Sequence, residues 1–95
     1  MNISKWSISE FGWHDITGVY AVCSMRYNRV KVHYIGSSKD IGKRLGNVNH
    51  PYRVIYGKFN LVHIRYIETQ DYKNVEKEMI AKFKPRLNIH HNGRR

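Results

Sequence analysis

GVYAVCSMRYNRVKVHYIG, running from Gly18 to Gly36, is the stretch that decides the fold. Within it GVYAVCS (Gly18 to Ser24) and VKVHYI (Val30 to Ile35) are short runs of β-branched and aromatic residues. A polar turn through Arg26 to Arg29, containing Asn28, separates them, so the pair reads as an antiparallel hairpin. Strict alternation along the second strand places His33 on the face opposite Tyr34. Working outward, Gly36-Ser37-Ser38 ends the hairpin, and Ser37 with Asp40 three residues later resembles a capping signal for a helix from about Ser38 to Asn47. Gly42 and Gly46 weaken that helix. Pro51 and Gly57 punctuate the basic segment Tyr52 to Lys58, which reads as loop. A third strand is expected over Phe59 to Ile67, with Val62, Ile64 and Tyr66 on one face and His63 and Arg65 on the other.

From Asp71 to Lys84 the apolar residues Tyr72, Val75, Met79, Ile80 and Phe83 recur at helical spacing, and Pro85 stops the pattern. Glu76 projects between Phe83 and Ile80, in the middle of the apolar stripe, whereas Glu78 falls on the opposite face with Asn74, Lys77 and Lys82. A carboxylate is expensive to desolvate without a cation or hydrogen-bond donors, so Glu76 reads as a site residue and Glu78 as a solvated one. Leu87 and Ile89 place the following tail near the sheet edge. The result is one small α+β domain of order β-β-α-β-α.

Composition narrows the partners. Seventeen Lys and Arg against seven Asp and Glu give a formal charge of +10 over 95 residues, which concentrates polyanions at the surface. The charges are spread from Lys5 to Arg95, as expected of a folded basic surface. A single cysteine, Cys23, excludes an internal disulfide and a multi-cysteine zinc site, and reads as a small apolar strand residue. No apolar run is long enough to cross a bilayer and no secretory pattern opens the chain, so no membrane partner and a cytoplasmic location are expected.

GVY at Gly18 to Tyr20 is followed, fourteen residues after its tyrosine, by Tyr34-Ile35-Gly36. Arg44, Glu76 and the closing Pro85-Arg86-Leu87-Asn88 complete a spacing that resembles the GIY-YIG nuclease family over about Thr17 to Ile89. The resemblance implies a three-stranded antiparallel sheet flanked by helices, and hydrolysis of a phosphodiester with one divalent cation, Mg²⁺, for which Mn²⁺ substitutes. It makes Tyr20, Tyr34, Arg44, Glu76 and Asn88 the catalytic set, with Glu76 the metal ligand. The residue types suit that chemistry: an arginine and a cation stabilise charge gathered on the phosphate, and Mg²⁺ needs only one or two protein carboxylates when phosphate and water supply further oxygens. A phenol with an ordinary pKa near ~10 is a poor base, so nearby positive charge is expected to lower it, with Tyr20 first as general base or orienter and Tyr34 as its partner. Asn88 ties the tail to the site. Many members of the family have a histidine one helical turn after the arginine, where this chain has Val48; His50 and His33 are the candidates to handle protons instead.

Ser37, Lys39, Lys43, Arg53, Lys58 and Arg65 are candidate nucleic-acid contacts, Ser37 also as a cap. Trp6, Phe11 and Trp13 read as core or subunit-contact residues, and His14, His63, His90 and His91 as surface histidines. The expected domain spans 1–95, with a core of about 17–89, an amino-terminal extension over 1–16 and a fraying end over 90–95. The expected function is a metal-dependent endonuclease acting on double-stranded DNA as a monomer or homodimer, nicking one strand per active site, in a bacterial host and encoded by a phage or other mobile element. The alternatives are a non-catalytic nucleic-acid-binding module of the same fold and an RNA-directed nuclease.

Overall fold

The structure, a computed structural model, describes residues 3–8, 15–46, 50 and 52–88. Phe11, Trp13, His14, Val48, His90 and His91 lie outside the described residues, as do the whole of 90–95 and half of 1–16.

Strand β1 (Gly18–Arg26) and strand β2 (Arg29–Ser38) form the hairpin. Its two central turn residues, Tyr27 and Asn28, are both left-handed at φ 51° and 64°. That backbone matches the right-handed twist of the flanking strands. Strand β3 (His63–Glu68) pairs antiparallel with the other side of β1, giving the order β2-β1-β3. β1 is therefore the central strand, and its residues from Gly18 to Ser24 are all buried.

The hairpin register carries one irregularity. Val22 faces Tyr34 but Cys23 faces Val32, so His33 is an extra residue without a partner on β1. Such a bulge interrupts the alternation of side chains. Val32 packs with Cys23 in one core while Tyr34 packs with Val22 in the other. The His33 ring reaches Ser24, on the Tyr20–Val22 side, with Nε2 2.7 Å from Ser24 Oγ. The expectation that His33 lies opposite Tyr34 is thus corrected, and the bulge is the physical reason.

Two helices cover the Tyr20 face. Helix α1 (Ile41–Leu45) is shorter than expected and buries Ile41 and Leu45. Its cap is Asp40, whose Oδ1 accepts from the Lys43 backbone N–H at 3.1 Å; Ser37 takes no part in capping. Helix α2 (Tyr52–Lys58) replaces the loop expected there. Gly57 is tolerated because it sits in open space at the exposed last turn, and the buried Ile55 anchors the helix in the core.

Helix α3 (Tyr72–Phe83) covers the opposite face. Met79, Val75, Ile80, Tyr72 and Phe83 pack on Val19, Ala21, Cys23 and Ile35, as the helical stripe required. Trp6, from a short 3-10 turn region at Ile3–Lys5, completes this core and meets Phe83 edge-on at 6.3 Å between ring centroids. The helix ends on Lys84, left-handed at φ 47°, whose N–H reaches Ile80 O at 2.8 Å before the buried Pro85. Burial pushes the Cys23 thiol up to about 12, as befits an inert core residue. No described helix is long and apolar enough to cross a membrane. The whole is a small α+β domain: a three-stranded antiparallel sheet between helices.

Candidate functional site

Tyr20 points from the central strand to the helix α1 side, and its ring lies across Gly36, its partner on β2. A Cβ at position 36 would sit 2.5 Å from the Tyr20 hydroxyl oxygen and 2.6 Å from Cζ. Since Tyr20 is fully buried it cannot swing away. Gly36→Ala is accordingly expected to cost about 1–3 kcal/mol through overpacking, read as a lower urea midpoint. An unchanged midpoint would show that the ring has room to move.

His50 closes over the phenol. Its Nε2 is hydrogen-bonded to the Tyr20 hydroxyl, and the Tyr52 backbone N–H donates to its Nδ1 at 3.0 Å. An N–H donor at Nδ1 requires a lone pair there, so the neutral ring carries its proton on Nε2 and donates it to the Tyr20 oxygen. Tyr34 joins from the adjacent strand: its ring centroid lies 5.3 Å from that of His50 and 6.4 Å from that of Tyr20.

Arg44, in the last turn of α1, faces both phenols and interacts with each through charge and hydrogen bonding. These contacts are not enough to make either phenol acidic. Burial raises the Tyr20 pKa strongly, helped by Tyr34 and Glu76 and opposed by Arg44. Burial likewise raises Tyr34, with Arg44 lowering it and Glu76 raising it. The expectation that positive charge would lower the phenol pKa is corrected: desolvation outweighs one exposed guanidinium.

Glu76 approaches from α3, on the other side of the sheet, at the end of β2. It is half-buried, and Ser37 Oγ donates to its Oε1 at 2.8 Å. Among the described residues it forms no ion pair, although the chain holds seventeen basic residues. Its proximity to both phenols is felt in their raised pKa. Asn88 is buried behind the site and clamps the main chain between Tyr34 and Gly36. Its Oδ1 accepts from Ile35 N–H at 2.6 Å and its Nδ2 donates to Ile35 O at 2.7 Å. β2 is an edge strand, so the Asn88 amide does there what a further strand would do.

Five residues separated by up to 68 positions are thus collected at one end of β2: Tyr20, Tyr34, Arg44, Glu76 and Asn88. His50 belongs with them; His33 does not. Burial and Lys31 lower the His33 pKa, and its ring stacks on Phe59 at 4.1 Å, toward the hairpin turn. Lys39 and Lys43 line a shallow cleft of about 420 Å³ beside Arg44, together with Ser38 and Asp40. Arg53 is exposed on α2 and Lys58 is exposed at its far end.

Arg65 is corrected from a phosphate contact to a structural residue. It is buried, with Nε donating to His63 Nε2 at 2.9 Å and Nη1 to Ile3 O at 3.3 Å, so it ties the amino-terminal turn to β3. Ser37 is held by Glu76, an interaction that no spacing rule in the sequence could have signalled. The His50 contact to Tyr20 was equally silent, because it depends on how the chain returns after α1.

A hard divalent cation fits the donor set. Glu76 and Ser37 offer oxygens only, and Mg²⁺ prefers a site with one or two carboxylates completed by water and phosphate. Among the described residues no group of three or more His, Cys, Asp or Glu side chains could hold a metal, so a cation on Glu76 would take most of its oxygens from water and phosphate. No known protein family, curated protein or solved structure matches this chain.

Proposed function

We propose that this chain is a GIY-YIG-like endonuclease that hydrolyses DNA phosphodiester bonds with one divalent cation, Mg²⁺ or Mn²⁺, held by Glu76. The observation that carries the reading is the convergence, from four separate elements, of two phenols, one guanidinium and one carboxylate that forms no ion pair among the described residues. Helix packing alone gives no reason to bring a half-buried carboxylate to such a place.

Arg44 binds the phosphate and neutralises charge that gathers on its oxygens as water attacks. Lys39 and Lys43 hold the neighbouring backbone in the cleft beside it. Glu76, with Ser37 beside it, would hold a divalent cation, which would supply further positive charge to the reacting phosphate. Tyr34, half-buried, is the phenol that solvent reaches, whereas Tyr20 is sealed. We therefore assign Tyr34 as the base: its phenolate oxygen takes one proton from the attacking water, the P–O ester bond breaks, and the leaving oxygen is protonated from solvent. The Tyr52 N–H holds His50 in its tautomer and Tyr20 accepts from it beside Tyr34, while Asn88 fixes the strand that carries Tyr34.

The raised pKa gives this assignment a sign. Below the pKa of Tyr34, which lies above its ordinary 10.0, the phenolate fraction grows tenfold per pH unit. The logarithm of the single-turnover nicking rate is expected to rise with a slope near one from about pH 7 to pH 9.5. Tyr34→Phe should abolish that slope; a flat wild-type profile would remove Tyr34 from the base role.

The direct test incubates supercoiled plasmid with the protein in Mg²⁺, in Mn²⁺ and in EDTA. One active site acts on one strand, so nicked circles are the expected product and only with metal. Tight binding with no cleavage at any metal would leave a non-catalytic nucleic-acid-binding module, and cleavage of RNA alone would reassign the substrate.

A further inference from the structure

At the other end of the sheet from the phenols lies a groove of about 1570 Å³, between the β1–β2 turn, the end of α2 and the chain after α3. Met25, on its wall, is five residues along β1 from Tyr20, roughly 17 Å at the rise of a strand. None of Tyr20, Tyr34, Arg44 or Glu76 lines it. Six cations do: Arg26, Arg29, Lys31, Lys58, Lys84 and Arg86. All six are exposed, and no acidic residue stands among the described residues of the wall. So many like charges around one concavity repel one another unless a polyanion lies between them.

Two exposed aromatic rings share the wall. Phe59 stacks on His33 yet remains 42% exposed, and Tyr27 is 85% exposed at the tip of the hairpin. Tyr27 is also left-handed, at φ 51°, a conformation costly for a bulky residue and cheap for the Asn or Gly usual in such turns. A ring kept in that position, with almost no packing, is not there for the local fold. The Arg26 guanidinium lies 5.2 Å from its centroid, so ring and cation form one surface.

The geometry points to a second nucleic-acid site, a groove that takes single-stranded DNA with its phosphates on the six cations and its bases on Phe59 and Tyr27. A duplex offers phosphates but keeps its bases stacked inside, so it would leave both rings unused; an unpaired strand offers base faces as well. The choice of DNA over RNA rests on the nuclease reading above. The groove itself does not.

The test is fluorescence anisotropy of the full chain in EDTA, with a labelled 12-nucleotide DNA strand, the same sequence as duplex DNA, and the same sequence as an RNA strand. The DNA strand is expected to bind tightest, with a slope of log K against log salt of about −4 for six phosphates. Lys31→Glu with Lys58→Glu should weaken binding more than tenfold and flatten the slope by at least about one. Tyr27→Ala, at an exposed turn, should weaken it about fivefold or more, and Phe59→Ala likewise. Equal or tighter binding of the duplex or of RNA overturns the proposal, as do Tyr27→Ala and the double charge reversal both staying within twofold of wild type. Loss of strand binding with nicking intact would overturn the groove alone; strand binding without nicking would overturn the nuclease reading alone.

Discussion

Asn88→Ala is expected to destabilise the folded domain by about 2–4 kcal/mol, because it strips two partners at once from the buried main chain of Ile35. An alanine leaves one N–H and one C=O unpaired at a depth where water does not replace the lost amide. Urea unfolding followed by tryptophan fluorescence measures the loss. Asn88→Asp sharpens the test: a carboxylate still accepts from Ile35 N–H but cannot donate to Ile35 O, which it would instead repel. Both variants should therefore be destabilised, with any residual activity lost through displacement of Tyr34 and Gly36 on either side. An Asp variant as stable as the wild type would mean that the donor half of the clamp contributes nothing.

The second large effect is expected of Glu76→Gln, with nicking reduced by about 10²–10³-fold. Glutamine keeps the shape of the side chain and an oxygen able to accept the Ser37 hydroxyl, so the packing of α3 on the sheet is preserved. What disappears is the negative charge that would hold a cation. Stability should change by no more than about 0.5 kcal/mol, since no ion pair among the described residues is lost. Wild-type cleavage by this variant would refute the nuclease reading outright. A collapse of stability together with activity would mean instead that Glu76 is a structural residue.

The two experiments address different parts of one arrangement. Asn88 acts on the strand from outside, at an edge that no strand among the described residues covers, whereas Glu76 reaches the end of that strand from a helix on the opposite face. Tyr20 lies across the same strand because Gly36 has no side chain. Three of the contacts that build the site therefore converge on residues 35–37 of β2. Small changes in that short segment should disturb the site more than larger changes in the exposed basic residues around it.

Alternating and helical periodicity reports which way a side chain points along a regular element, and on that basis the hairpin, β3, α3 and the inward face of Glu76 were legible from the residues alone. The spacing of Gly18, Tyr20, Tyr34, Arg44, Glu76 and Asn88 also marked out the candidate set. Periodicity fails where an element is irregular or where packing overrides propensity. The bulge at His33 adds one residue to a strand and turns its ring to a face that alternation forbids. α2 forms despite Gly57 because burial of Ile55 stabilises a helix that local preference does not. Arg65 carries the same charge as Lys58, yet one is internal and the other lines a groove, a distinction made by the amino-terminal turn that supplies Ile3 O. His50 meets Tyr20, and Ser37 meets Glu76, only after 30 and 39 residues of intervening chain are folded. The order of elements and the residue types of the site were thus written in the linear chain, since both depend on short-range geometry. Which phenol is sealed, which proton His50 carries and which cations share a surface follow from burial and long-range approach, and these exist only once the sheet has closed between its helices.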